Sequence, residues 1–320
     1  MFYKEEIIGN LKLIEIKNKK LRIKLLNMGA SIHSIYFNNK LMTETPDDLN
    51  DFINPNVYNG KTIGVISNRV KNGQISINNI IYKLDLNENK NSLHGGLNGL
   101  SNQLFDVEYK ENKDCYNIIF KHLQKDLIDG LPGNRIFEIT YSLSKNENIF
   151  NISFKATSDK DTVIGLTNHT YFNLGDNNIN NLSLKLKSKK YVEPNFDDLT
   201  PNLLKNITNA LDFNEFKLLN KDINNHYLKD NKTKGYDHHF ILDDGVIELK
   251  NNEILLNIKT DFSGVQIYTD NYANNIKMID TECISNRGVA IEPQDNTLER
   301  KIIKKDESYI RFIKYSFYNI

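Results

Sequence analysis

Apolar and polar residues alternate along this chain with a period of two, and that period limits what it can fold into. Leu11-Lys12-Leu13-Ile14-Glu15-Ile16, Leu21-Arg22-Ile23-Lys24-Leu25 and Leu182-Ser183-Leu184-Lys185-Leu186 carry the pattern. Successive side chains of a strand point to opposite faces, so such runs mark strands with one buried and one wet face. Further strands are expected at Tyr116 to Phe120, Ile136 to Ser142, Ile149 to Ala156, Gly264 to Thr269 and Tyr309 to Phe317. Clusters of Asn, Asp, Gly and Lys separate them, which is turn chemistry. Helical periods are scarce, and short helices are expected only around Pro201 to Leu204 and Asp212 to Phe216. The pattern predicts an all-β sandwich or barrel of many strands. No linker rich in Pro, Gly and Ser interrupts it, and no propeller or solenoid repeat is visible, so one domain over residues 1–320 is expected.

The charge balance removes several functions. Forty-one basic and forty-one acidic side chains cancel, which argues against broad phosphate neutralisation on nucleic acid and against polybasic membrane docking. Cys115 and Cys283 are too few for a disulfide framework or a cysteine zinc site. The first ten residues, MFYKEEIIGN, carry acids where a secretory leader would be basic and then apolar. No apolar run approaches the roughly 18 residues of a membrane span. A cytoplasmic protein is expected.

Asn is so frequent that it carries little information, and rarer residues must point to chemistry. His94 sits in Ser92-Leu93-His94-Gly95-Gly96, where two glycines permit a tight turn and close backbone approach to a ligand; a plain turn is the alternative. His169 lies in Thr167-Asn168-His169-Thr170-Tyr171, after an apolar run. Imidazole titrates near neutrality and can pass a proton at physiological pH; a hydrogen-bonded core histidine is the alternative. Asp237-His238-His239 suggests a metal at first sight. Adjacent strand residues face opposite ways, so one ion cannot take both histidines, and no metal is expected. Asp237 is instead suited to accept hydrogen bonds from sugar hydroxyls. Glu292 follows Val289-Ala290-Ile291 and precedes Pro293. Burial there would raise its pKa and poise it as a base; a strand-end carboxylate facing water is the alternative. Arg69, in a lysine-dominated chain, offers the planar fork used for fixed polar recognition.

These segments, in this order, resemble the aldose 1-epimerase (galactose mutarotase) family. GVISNRVKNGQI is similar to that family's G-x-x-x-N-R-[IV]-x-x-G segment, NSLHGGLNGL to its N-S-L-H-G-G-x-x-G-F motif, and LTNHTYFNLGD to the signature around its catalytic histidine. DGLPGN at 129–134, GVQIYTDN at 264–271, GVAIEPQ at 288–294 and the early LLNMGASIHSIYF add to the likeness. The resemblance spans essentially the whole chain. It implies a large twisted β-sandwich with the sugar site in an open cleft. It further implies that Glu292 is the base, that His169 is the acid, and that Arg69, His94, Asp237 and Asn68 hold the sugar. Val65, Leu100 and Phe105 depart from the family's usual residues and are expected to reshape the cleft.

The implied reaction interconverts the anomers of a free aldose and calls for no cofactor. It requires a proton on His169, and Glu292 is the counter-charge expected to keep it there. Three other readings compete. A non-catalytic carbohydrate-binding sandwich would need no acid–base pair. A hexose 6-phosphate epimerase would need a cluster of cations. A glycosidase would need two carboxylates, such as Asp237 and Glu292.

Overall fold

The computed structural model describes residues 2–272, 276–279 and 285–320. Three antiparallel sheets dominate it. The first is a meander of Tyr3–Ile8, Leu11–Lys17, Leu21–Leu26, Ser31–Phe37 and Lys40–Leu41. The second has nine strands, with Cys115–Gln124, Arg135–Ser144, Ile149–Ser158 and Tyr309–Asn319 at its middle. The third orders Tyr171–Phe172, Val289–Gln294, Gly264–Tyr268, Asp237–Ile241, Lys190–Pro194 and Pro201–Asn206. Of the sandwich and barrel that the period of two allows, the sandwich is present, and each alternating run falls on a strand to within a residue.

The alternation explains how the sheets stack. Phe137, Ile139 and Tyr141 point to one face of their strand, as do Phe150, Ile152 and Phe154 of the next, and all are buried. They join Phe240, Val265, Ile267, Val289 and Ile291 of the six-stranded sheet in one apolar cluster. Phe172 meets Tyr315 at 5.5 Å between ring centroids, and Phe37 meets Phe317 at 5.7 Å, tying the smaller sheets to the nine-stranded one. Each fully buried side chain of this size contributes about 1.5–3 kcal/mol.

The Asp129 to Asn134 motif serves the fold. Both Asp129 oxygens accept from the Arg135 guanidinium, at 3.0 and 2.9 Å, and Arg135 Nε donates to the Gly133 carbonyl. The pair is fully buried, where losing one partner costs about 3–5 kcal/mol.

Both helix expectations fail. Pro201–Asn206 is the outer strand of its sheet. It is exposed along nearly its whole length, so neither face imposes the alternation by which a strand is recognised. The 212–216 stretch has no regular element. Asp212 Oδ1 accepts from the Asn214 backbone N–H at 3.0 Å, a local bond that competes with a helix. His226–Lys229 is the one α-helix among the described residues. None of those residues forms a helix long and apolar enough to cross a membrane. Cys115 is a free thiol; Cys283 lies outside the described residues.

Candidate active site

The six-stranded sheet sorts its side chains by parity. His238, Phe240, Val265, Ile267, Val289 and Ile291 face the core. Asp237, Gln266, Tyr268 and Glu292 face the other way, into a cleft of about 450 Å³. Register sets their spacing: Gln266 pairs with Glu292 on one side and His239 on the other, and Asp237 pairs with Tyr268. Short ladders close the opposite wall. Arg69–Val70 pairs with Ser92–Leu93, and Thr167–Asn168 pairs with Thr62–Ile63, delivering Arg69, His94 and His169. All six candidates, Asn68, Arg69, His94, His169, Asp237 and Glu292, line this one cleft.

Glu292 and His169 stand together at its floor, 2% and 4% exposed. His169 Nε2 lies 3.4 Å from Glu292 Oε1. Glu292 Oε2 and His169 Nδ1 have no hydrogen-bond partner among the described residues. One orphaned buried polar atom on each residue leaves bonding capacity for a polar ligand. Burial raises the Glu292 pKa well above the usual range, the Asp237 charge adds to this, and Arg69 opposes it. Burial also pulls His169 down to about 4. The expectation that Glu292 would hold His169 protonated is therefore corrected: burial disfavours the charged form of both groups, and a protonated Glu292 supplies no counter-charge.

His94 depends on its glycines. Gly95 and Gly96 adopt φ of 89° and 74°. A Cβ on Gly95 would sit 2.1 Å from the Gly64 carbonyl oxygen. Gly95→Ala is expected to cost about 3 kcal/mol from overpacking and left-handed strain. A urea midpoint within experimental error of the wild type would show that this turn is not held as described. The Asn68 backbone N–H donates to His94 Nδ1 at 3.3 Å, which leaves Nε2 as the protonated nitrogen of the neutral ring. Burial, with His169 and Arg69 nearby, lowers the His94 pKa well below its ordinary value.

Arg69 donates twice to Glu88, at 2.7 and 2.9 Å, and its Nη1 lies 3.9 Å from Asp237 Oδ2. Burial pulls its pKa down, and Asp237 with Glu88 more than offsets this. Gln266 Nε2 donates to Asp237 Oδ1 at 2.5 Å, and its own oxygen accepts from Asn68 Nδ2 at 3.1 Å. The Asn68 side chain also accepts from the Arg69 N–H at 2.7 Å. Asn68 therefore fixes its neighbours, with its amide already engaged.

His238 and His239 diverge as their alternation predicts. His238 packs against Tyr191 and Tyr227, whereas His239 Nδ1 meets Gln294 Nε2 at 3.4 Å. Burial lowers both to about 3. Among the described residues, no three His, Cys, Asp or Glu side chains converge as a metal site.

A second cleft of about 450 Å³ shares no lining residue with the first. Its charges are mostly spent within it: Arg311 is paired to Asp295 and Lys301 to Glu307. The buried carboxyl and imidazole with their orphaned atoms set the first cleft apart from the second.

The sequence profile described as aldose 1-epimerase matches residues 12–316. The chain belongs to the aldose 1-epimerase family. It is an enzyme, an isomerase acting on carbohydrates. Aldose 1-epimerase of Haemophilus influenzae is 30% identical over 252 residues, covering 74% of this chain and 71% of its own. Human galactose mutarotase is 26% identical over 281 residues, 82% of this chain and 79% of its own. A crystal structure of galactose 1-epimerase from Lactobacillus acidophilus superposes with a TM-score of 0.89 at 25% identity. That likeness covers 99% of this chain and 98% of the other.

Gln266, Tyr268 and Tyr58 are among the cleft residues that the motifs alone did not single out. Gln266 and Tyr268 lie within GVQIYTDN, but only strand register shows that they face Glu292's side. Tyr58, 4.8 Å from the His94 ring and 5.8 Å from that of His169, lies outside every motif. Val65, Leu100 and Phe105, expected to reshape the cleft, could do so only from beneath its lining. All three are buried in the core and none lines the cleft.

Proposed function

We propose that the cleft binds a free aldohexose such as galactose or glucose, and that Glu292 and His169 exchange its α and β anomers. The observation that carries this reading is the buried carboxyl and imidazole at 3.4 Å in the polar cleft. Glu292 takes the proton of the anomeric hydroxyl as the bond from C1 to the ring oxygen breaks, and His169 gives that oxygen a proton. The open-chain aldehyde rotates about C1–C2. Reclosure on the other carbonyl face reverses both transfers. Each well-placed acid or base contributes about 10²- to 10⁴-fold in rate.

The pair works with one proton. The directions of the pKa shifts favour that proton on Glu292, with a neutral His169. Its transfer to His169 makes carboxylate and imidazolium together. A sugar hydroxyl donating to Glu292 favours the charged carboxylate and so promotes this transfer. Arg69, the His94 Nε2–H and Asp237 orient the remaining hydroxyls, while Asn68 aims Arg69 and Gln266. Asp237 is bonded to Gln266 and faces Arg69, a setting for binding more than for a glycosidase carboxylate. The charge balance and near-absence of cysteine support a cytoplasmic enzyme.

Polarimetry of fresh α-galactose and α-glucose, after exhaustive chelation and dialysis of the protein, tests the reading. Decay to equilibrium much faster than the spontaneous rate is expected with both chelated and untreated protein. Binding without acceleration would leave a carbohydrate-binding sandwich, and activity restored only by a divalent ion would assign a metal mechanism.

A further inference from the structure

Resting on the anomer-exchange reading of the cleft, we propose that Glu88 sets its charge selectivity. It occupies Arg69 and turns the site against anionic sugars and toward sugars that carry an ammonium group. Glu88 lies in Asn87-Glu88-Asn89-Lys90, just before the Ser92-Leu93-His94 motif and outside its pattern. A turn fixes it, with the Asn91 N–H donating to the Glu88 carbonyl at 2.9 Å.

The charges lining the cleft are unequal. Arg69 is the one Lys or Arg among them, against the carboxyl groups of Glu88, Asp237, Asp270 and Glu292. Asp270 is answered from behind by Arg287 at 3.2 Å, and Glu292 works with His169. Arg69 is left between two carboxylates. Glu88 holds its Nε and Nη2, so the bidentate face that would grip a phosphate or carboxylate is already filled. The two side chains are only 14% and 28% exposed, where salt screens less than on an open surface. An anionic sugar must displace Glu88 or face it together with Asp237; an ammonium group meets both carboxylates favourably.

The neighbouring cleft of about 340 Å³ meets this one at Glu88 and Leu199, and its two lysines face three carboxylates, so it adds no net positive charge beside Arg69. Its Lys90 and Lys232 are matched by Asp197 and Asp198, and Lys232 Nζ donates to the Asp197 carbonyl.

The test compares kcat/KM for glucose, glucuronate and glucosamine at a pH where the amine is protonated, in the wild type, E88Q and E88D. The ratios to glucose within each protein cancel any general loss of activity. The wild type is expected to disfavour glucuronate and to accept glucosamine. E88Q raises the glucuronate ratio about tenfold and lowers the glucosamine ratio, as removal of one nearby charge requires. E88D keeps the wild-type order. The wild-type discrimination shrinks as salt rises, a measurement that needs no variant. Ratios in E88Q within twofold of the wild type, or discrimination indifferent to salt, would overturn the proposal. A wild type inactive on both glucose and galactose would sink the anomer-exchange reading instead.

Discussion

Glu292→Gln is expected to lower kcat by about 10²-fold or more while KM changes little, because the amide keeps the shape but cannot accept the anomeric proton. The site makes this a clean test of chemistry. Glu292 Oε2 is buried without a partner among the described residues, and its burial raises its pKa. Replacing a costly buried carboxyl by a neutral amide should leave the thermal midpoint at or above the wild-type value. Activity lost with the fold retained separates a catalytic role from a structural one. Near-normal turnover would remove Glu292 from the base position.

Replacing His169 by Asn should also lower turnover by about 10²-fold, since the lost interaction is realised in the transition state. The pH profile carries the sharper signal. In the wild type the active pair holds one proton. Lowering the pH adds a second, with His169 titrating at about 4, and this gives the acidic limb. Raising the pH strips the single proton, through a pKa that Glu292 holds above its ordinary range, and this gives the basic limb. The limbs belong to the coupled pair, and the simple assignment of one to each residue does not hold. In His169→Asn, Glu292 alone must be ionised. Residual activity therefore rises with pH through its raised pKa and stays high. His94→Asn keeps both limbs and chiefly raises KM, because neutral His94 offers only a donor to the sugar. If His94→Asn abolishes the basic limb and His169→Asn retains it, the two roles are reversed.

The parts of this molecule that the sequence makes legible are those governed by neighbours along the chain. Leu21–Leu26 and Ile149–Ser158 alternate because one face of each is buried. Pro201–Asn206 does not alternate because neither face is buried, so its sequence carries no strand signal. The apolar run before Glu292 is compatible with burial and with a strand end facing water, and the fold buries it. What stayed hidden depends on partners distant in sequence. Gln266 bridges Asp237 and Asn68, and no local pattern reveals a hydrogen bond to a residue 198 positions away. Glu88 gained meaning only once Arg69 was seen to be held by it. The His169 pKa turned on desolvation by the whole fold, which a counter-charge argument from two residues omits.

The register that puts Gln266 between His239 and Glu292 also governs when the enzyme can begin to work. Arg69, His94, His169, Asp237 and Glu292 are contributed by separate stretches of chain, and the strand bearing Glu292 inserts between Gly264–Tyr268 and Tyr171–Phe172. Such long-range pairing forms slowly, because loop-closure entropy is lost before the contacts are gained. A nascent chain extruded as far as His239 already carries every sugar-holding candidate, yet it lacks Glu292, the proposed base. If Glu292 is the base, as proposed, catalysis is expected only late in synthesis, after the strand Val289–Gln294 has left the ribosome and docked. Onset of mutarotation during refolding reports that docking step more directly than the gain of bulk β-structure does.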